Sequence, residues 1–240
     1  MCFNAEVSIT LFIASLLAAA YIYSKSGRMT ALLIVLIGSM QLLDFFLWLD
    51  QDCGHMNRNT SYAVIWLLWL HGSALITAAY FIWPDSRHIT RVTAVAAALL
   101  LATSTCACAI WTRYCTQKPE VLCSLQDPKS NRLTWKAVAI LFDNALLAAV
   151  CSVCYLGLHV LASYVGDYNA WAFPLWKFFL VLFGSLGTAF LFNPDKAMEI
   201  FSTWWCTLAT VANVLGVMVF AWWPPTTQPT ARDKRLHLLL

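Results

Sequence analysis

Charged residues are scarce in this chain. Asp, Glu, Lys and Arg make up 11% of its 240 residues, whereas a soluble domain carries roughly 25%. Hydrophobic residues make up 60%, and the mean hydropathy is +0.67. This composition excludes a soluble globular protein and indicates a multi-pass membrane protein surrounded by a lipid bilayer. The net charge of +3 is scattered, so we predict no nucleic-acid partner.

Long polar segments are also missing, since only the loop over 112–134 is more than a short connection. Seven apolar segments are each long enough to cross a bilayer at about 20 residues per span. We therefore predict an all-α fold, with one seven-helix transmembrane domain over 1–223 and a short basic tail over 224–240. The predicted spans are 7–23, 30–49, 61–83, 92–111, 135–162, 172–192 and 200–222.

The distribution of Lys and Arg predicts the orientation. Both sides of the predicted bundle carry similar numbers, but on the side of the tail they fall in short segments such as 25–28 and 87–91. On the opposite side most of them belong to the long loop over 112–134. Because short cytoplasmic loops retain positive charge during insertion, we predict an N-terminus outside and a C-terminal tail in the cytoplasm.

Cysteine is absent from every predicted cytoplasmic loop. Four of the nine cysteines lie on the outer side, and Cys206 lies about a turn and a half inside the outer membrane face. Since disulfides persist in oxidising compartments, this favours a plasma membrane or a secretory-pathway membrane, with another organelle membrane as the alternative. The disulfide candidates are Cys2, Cys53, Cys115, Cys123 and Cys206.

The pairing of these cysteines stays open at this point. A Cys115–Cys123 bond would close the long loop locally, whereas Cys53 with either of them would join the second-third loop to the fourth-fifth loop. Cys2 with Cys206 would join the N-terminus to the seventh span. No predicted loop contains a Cys-x-x-Cys pair, so we predict no structural metal.

Residues for several kinds of chemistry are missing from the predicted spans. The seventh span contains no Lys for a retinal Schiff base, and the chain has no His-x-x-x-His pair for an intramembrane metal hydrolase or a haem. We therefore predict a protein that is not an enzyme and has no cofactor, with an intramembrane hydrolase as the less favoured alternative.

Ionisable side chains inside apolar spans cost about 2.5–3.5 kcal/mol at a helix centre, so each is a functional candidate. Asp44, His71 and Asp143 extend from the outer half of the membrane to its midplane, whereas His159 is predicted to be interfacial. Polar residues on shared helix faces complete the set. The predicted ligand or ion site comprises Asp44, His71, Asp143, Gln41, Asn144 and Asn213.

Most of the remaining polar and aromatic residues indicate a structural role rather than a binding role. Ser8, Ser15 and Ala19 provide small residues for close helix packing in the first span. Trp residues near the span ends, Trp135 among them, form an aromatic belt at the membrane surfaces. Hydrogen bonding between helices is the favoured role for the Thr and Asn side chains of the spans, and it is the alternative role for Asp44 with His71.

Three short motifs resemble a family of uncharacterised multi-pass membrane proteins whose chains open Met-Cys-Phe-Ser or Met-Cys-Trp-Ser. This chain opens Met1-Cys2-Phe3-Asn4, so that Asn replaces the Ser. The second span has Gln41, Asp44 and Trp48 in the family's order, and the seventh has Trp205-Cys206. The resemblance implies seven helices and no established activity.

Two functions follow as expectations. The first is a transporter, channel or receptor with an outward-facing polar cavity that binds a small molecule or an ion. The alternative is a structural or accessory subunit, whose partner is a larger membrane complex or a second copy of the chain. An Asp44→Asn substitution separates the two expectations.

Overall fold

A computed structural model describes residues 4–24, 28–82, 89–127, 132–137 and 145–165, together with 214, 217 and 218. Its helices are α1 (Ala5–Ser24), α2 (Arg28–Leu49), α3 (His55–Ile82), α4 (Arg91–Gln117) and α5 (Ala145–Val165). Between α4 and α5 lie a 3₁₀ turn over Pro119–Leu122 and two strands, β1 (Ser124–Asp127) and β2 (Arg132–Trp135).

The predominantly helical prediction is confirmed for this part of the chain. Helices α1 to α4 are each long and apolar enough to cross a membrane, and α5 contains a shorter apolar stretch over Ala149–Ala162. The chain is therefore an integral membrane protein by the length and composition of its helices. The predicted sixth and seventh spans lie outside the described residues, apart from Val214, Val217 and Met218, which are helical.

The predicted fifth span begins at Trp135, the last residue of β2, and the next two residues, Lys136 and Ala137, are helical. Within β2, Leu133 and Trp135 are buried, whereas Thr134 between them is half-buried. This alternation is the period of a strand with one buried face, not of a helix. β2 pairs antiparallel with β1, and Ser124 lies opposite Trp135 in the register.

Helix α3 lies at the centre of the described bundle. α1 packs on α2, α2 packs on α3, and α5 packs on both α3 and α4. The largest buried cluster joins α2, α3 and α5 through residues such as Ile37, Ile76 and Leu158. Val217 packs against a separate cluster formed by Ala18, Ala19, Ile22, Ala31 and Ile34 of α1 and α2.

Small residues allow α1 and α2 to pack closely, as the sequence of the first span predicts. Ser8, Ser15 and Ala19 are buried. The Ser15 hydroxyl donates a 2.8 Å hydrogen bond to the carbonyl of Leu11 in its own helix. A β-carbon at Gly38 of α2 would lie 2.5 Å from the β-carbon of Ser15.

We expect Gly38→Ala to destabilise the α1–α2 pair by about 1–3 kcal/mol, because the added methyl group overlaps a side-chain atom next to the backbone. A second substitution, Ser15→Gly, removes that atom and should restore part of the loss. The free energy of unfolding in detergent, measured by titration with a denaturing detergent, checks both variants. Equal stability of Gly38→Ala and the wild type would contradict the close contact.

Candidate functional site

The end of the bundle predicted to face outside begins with Asp50, which caps α3. Its carboxylate oxygens accept hydrogen bonds from the backbone N–H of Asn57 (2.9 Å) and of Gly54 (3.0 Å). These two donors lower the pKa of Asp50, Asn57 contributing most, because hydrogen bonds to the charged form favour it. The loop between α2 and α3 is thereby folded back onto the first turn of α3.

Acidification should weaken this cap. A carboxyl group with a depressed pKa in the folded state adds stability above its unfolded pKa, near 3.8, and loses it as the pH falls through the lower folded value. We expect Asp50→Asn to be less stable than the wild type at neutral pH, with the two stabilities converging towards pH 3. Melting temperatures between pH 7 and pH 3 test this, with exposed Asp52→Asn as the matched control. Parallel curves for Asp50→Asn and the wild type would contradict it.

A disulfide between Cys53 and Cys123 joins this loop to the start of β1, with their α-carbons 5.4 Å apart. Of the pairings open from the sequence, the structure thus contains the one that joins the second-third loop to the fourth-fifth loop. Cys115 is a buried free thiol in α4, so the proposed Cys115 pairings are wrong. Cys2 and Cys206 lie outside the described residues.

Hydrogen bonds hold β1 to the same loop and to α3. The Asn57 side chain donates to the carbonyl of Ser124 (2.7 Å) and accepts from its N–H (2.9 Å). The Ser61 and Ser124 hydroxyls lie 2.7 Å apart, and the Gln126 N–H donates to the Gln51 side chain (2.7 Å). β1 is therefore clamped to the helices independently of β2.

Strand β2 places an indole ring on the buried carboxylate of α2. Trp135 is 1% exposed and Asp44 is 0% exposed, and Trp135 Nε1 donates to Asp44 Oδ1 at 2.9 Å. Met40, Leu47, Val64 and Leu133 form one buried cluster with this ring. The prediction of Trp135 as a membrane-belt residue is wrong, because the β2 alternation turns it into the bundle.

Below Asp44, Gln41 lies on the same face of α2 and is also fully buried. His71 of α3 lies deeper: its Nε2 is 3.0 Å from the carbonyl oxygen of Leu36. Leu36 precedes Asp44 by eight residues, roughly 12 Å along the helix. The structure thus places Asp44 and His71 at different depths, with Gln41 between Leu36 and Asp44 in sequence.

Two side chains of α5, the phenol of Tyr155 and the imidazole of His159, lie next to His71 of α3. Tyr155 Oη is 3.3 Å from His71 Nδ1, and the Tyr155 and His159 rings lie 4.2 Å apart. A carbonyl oxygen only accepts, so His71 donates from Nε2 to Leu36 and accepts at Nδ1 from the Tyr155 hydroxyl. By the same argument, His159 Nδ1 donates to the Tyr155 carbonyl at 2.6 Å.

The structure packs His159 against α3, whereas its predicted interfacial depth stays a prediction. His159 is 1% exposed, and its Cε1 lies 3.5 Å from the position a β-carbon would take at Gly72, next to His71.

We name the polar column after four buried side chains, Asp44, Gln41, His71 and His159, together with the half-buried Tyr155. Sequence reasoning missed Tyr155 and His159 as partners of His71, although their spacing of four residues puts them on one helix face. It also missed Trp135, for which the alternation in β2 is the available signal. Asp143, Asn144 and Asn213 fall outside the described residues, so their predicted roles stay predictions.

A cluster of metal ligands does not accompany the column in the residues described. Groups of three or more His, Cys, Asp or Glu side chains that could hold a metal ion do not occur within 4–24, 28–82, 89–127, 132–137 and 145–165. A groove of about 350 Å³ lies instead between α4 and α5, and its walls are almost entirely apolar. It is lined by Leu99, Leu100, Thr103, Ala149, Val150, Val153 and Cys154.

Comparison with protein-family models, with characterised proteins and with solved structures finds no match to this chain. The family resemblance of the three short motifs therefore stays a prediction. Function must be inferred from the polar column and from the segment that covers its outer end.

Proposed function

We propose that this protein binds a small molecule or an ion from the outer side of the membrane, inside the helix bundle, as a transporter, channel or receptor. The observation that carries the proposal is the complete burial of Asp44, Gln41 and His71. These residues lie in helices that are long and apolar enough to cross a bilayer. Intramembrane ionisable groups are expensive and commonly belong to substrate or ion pathways.

The proposal includes seven spans, an outer N-terminus and a cytoplasmic C-terminal tail, in a plasma or secretory-pathway membrane. The disulfide supports this orientation, because Cys53 and Cys123 lie on the predicted outer side and disulfides persist in oxidising compartments. The hairpin β1–β2 then covers the outer end of the column.

The residues of the column differ in the chemistry they offer. Asp44 supplies a carboxylate for a cation or an N–H donor, and Gln41 supplies both an amide donor and an amide acceptor one helical turn deeper. His71 offers an imidazole whose two nitrogens are already oriented, one by Leu36 and the other by Tyr155. A ligand entering from outside meets these groups in that order.

Asp44→Asn tests the proposal with little change in shape, because the Asn side chain still accepts the Trp135 hydrogen bond. We expect at least about a tenfold loss of ion flux or of ligand binding, since replacing a charged contact in a low-dielectric site costs 1.4 kcal/mol or more. Proteoliposomes loaded with a pH-sensitive dye or a potassium-sensitive dye report flux. Native mass spectrometry of protein purified in mild detergent reports bound small molecules.

Ser15→Ala is the matched control, because it also removes a buried polar group but lies in the α1–α2 contact, away from the column. Equal flux and equal ligand content in Asp44→Asn and the wild type would overturn the proposal. Co-purification of another membrane protein with an Asp44-independent interaction would then favour the accessory-subunit alternative.

A further inference from the structure

The contact between Trp135 and Asp44 has the features of an occupied binding site. A carboxylate oxygen accepts an N–H at 2.9 Å, and apolar side chains of α2, α3 and β2 surround the ring that carries this donor. The ring does not belong to a helix of the bundle. It enters from the extramembrane hairpin, 91 residues away from Asp44 in sequence.

The attachments of the hairpin are unequally divided between its two strands. The disulfide at Cys123 precedes β1, and Asn57, Ser61 and Gln51 all bond to β1. Within the described residues 132–135, β2 pairs with β1, buries Leu133 and Trp135 among Met40, Leu47 and Val64, and donates one hydrogen bond from Trp135 to Asp44. A disulfide and side-chain hydrogen bonds thus hold β1, whereas packing and one hydrogen bond hold Trp135 of β2.

We propose that Trp135 is a built-in occupant of the Asp44 site, and that this site takes a small aromatic molecule with an N–H donor, of the indole or arylalkylamine class. The inference rests on the proposed function, because it names the ligand class of the same site. The shape and the hydrogen bond that the ligand needs are those that the indole of Trp135 already satisfies. Ligand and Trp135 therefore compete, and binding displaces β2.

Competition has a quantitative consequence. If the withdrawn state of β2 is a minor state of about 1–10%, the apparent affinity of the wild type is reduced by that fraction. Removing the competing ring in Trp135→Ala should then tighten the binding of indole and of tryptamine about 10- to 100-fold. The isostere 1-benzothiophene, which lacks the N–H, should bind this variant more weakly than indole.

The decisive measurement uses the full-length wild type in detergent, because a truncated tryptophan leaves space that binds aromatic molecules in any protein. Saturating tryptamine should increase amide hydrogen exchange of β2 about tenfold and leave that of β1 unchanged. Isothermal titration calorimetry gives the affinities of indole, tryptamine and 1-benzothiophene for the wild type and for Trp135→Ala. The double variant Asp44→Leu with Trp135→Ala should lose the preference for indole over 1-benzothiophene.

Equal affinities of the wild type and Trp135→Ala would overturn the inference, and so would binding to Trp135→Ala alone. Where Trp135→Ala does not fold, Trp135→Leu retains an apolar side chain in β2 and should also bind tryptamine more tightly than the wild type. A negative result here, combined with loss of flux in Asp44→Asn, would reject the built-in occupant and leave the proposed function standing. No effect of Asp44→Asn on flux or on ligand content would reject the proposed function itself.

Discussion

Replacing Trp135 by alanine is expected to lower the free energy of unfolding by about 3–5 kcal/mol, the usual cost of truncating a buried tryptophan. The ring is 1% exposed, so the variant loses its contacts with Met40, Leu47 and Val64. It also removes the indole donor to Asp44, a loss that Trp135→Phe isolates because phenylalanine keeps an aromatic ring in place. We expect Trp135→Phe to cost about 1–3 kcal/mol.

Titration with a denaturing detergent, followed by circular dichroism, measures these losses. Trp66→Ala is the matched control, since Trp66 is half-buried at the edge of another cluster and should cost less. A Trp135→Ala variant as stable as Trp66→Ala would contradict the insertion of β2 into the bundle.

Removing the disulfide should produce the second large effect. Cys53 and Cys123 are 70 residues apart, and a cross-link across a loop of that length typically stabilises a fold by about 2–4 kcal/mol. Helices that stay in the bilayer after unfolding reduce the entropy that the cross-link removes, which argues for the lower part of this range. We therefore expect the double variant Cys53→Ala with Cys123→Ala to lose about 2 kcal/mol.

The exposed free thiol Cys106 provides the control, because Cys106→Ala removes a cysteine without breaking a cross-link. Wild-type protein treated with a reductant should approach the stability of the double variant, whereas Cys106→Ala should behave as the untreated wild type does. Unchanged stability after reduction would show that the hydrogen bonds of Asn57, Ser61 and Gln51 suffice to hold β1 in place.

The sequence predicts the first two helices to within two residues, because their apolar runs are bounded by turn residues at both ends. It places the start of α3 at residue 61 instead of His55 and the end of α4 at residue 111 instead of Gln117. In both cases the helix continues through polar turns beyond the apolar run. Hydropathy marks the extent of the membrane-embedded part, whereas backbone hydrogen bonding sets the ends of the helix.

The candidate site is harder to predict from the sequence than the helices are. Asp44 and His71 can be predicted as candidates from the sequence, because an ionisable group in an apolar span is rare and costly to bury. Their partners cannot be predicted in this way, since Trp135 and Tyr155 come from segments 91 and 84 residues away. Only the packing of β2 and α5 decides which side chains meet, and that depends on tertiary contacts that periodicity does not encode.

The order of the elements along the chain also sets an order of assembly during synthesis. Cys123 precedes α5, so the bond to Cys53 can close once α4 has crossed the membrane and before α5 has been inserted. The closed bond, together with the Asn57 hydrogen bonds, fixes β1 to the start of α3. Pairing of β2 with that strand then guides Trp135 towards Asp44, so the disulfide supplies the template on which this end of the bundle is completed.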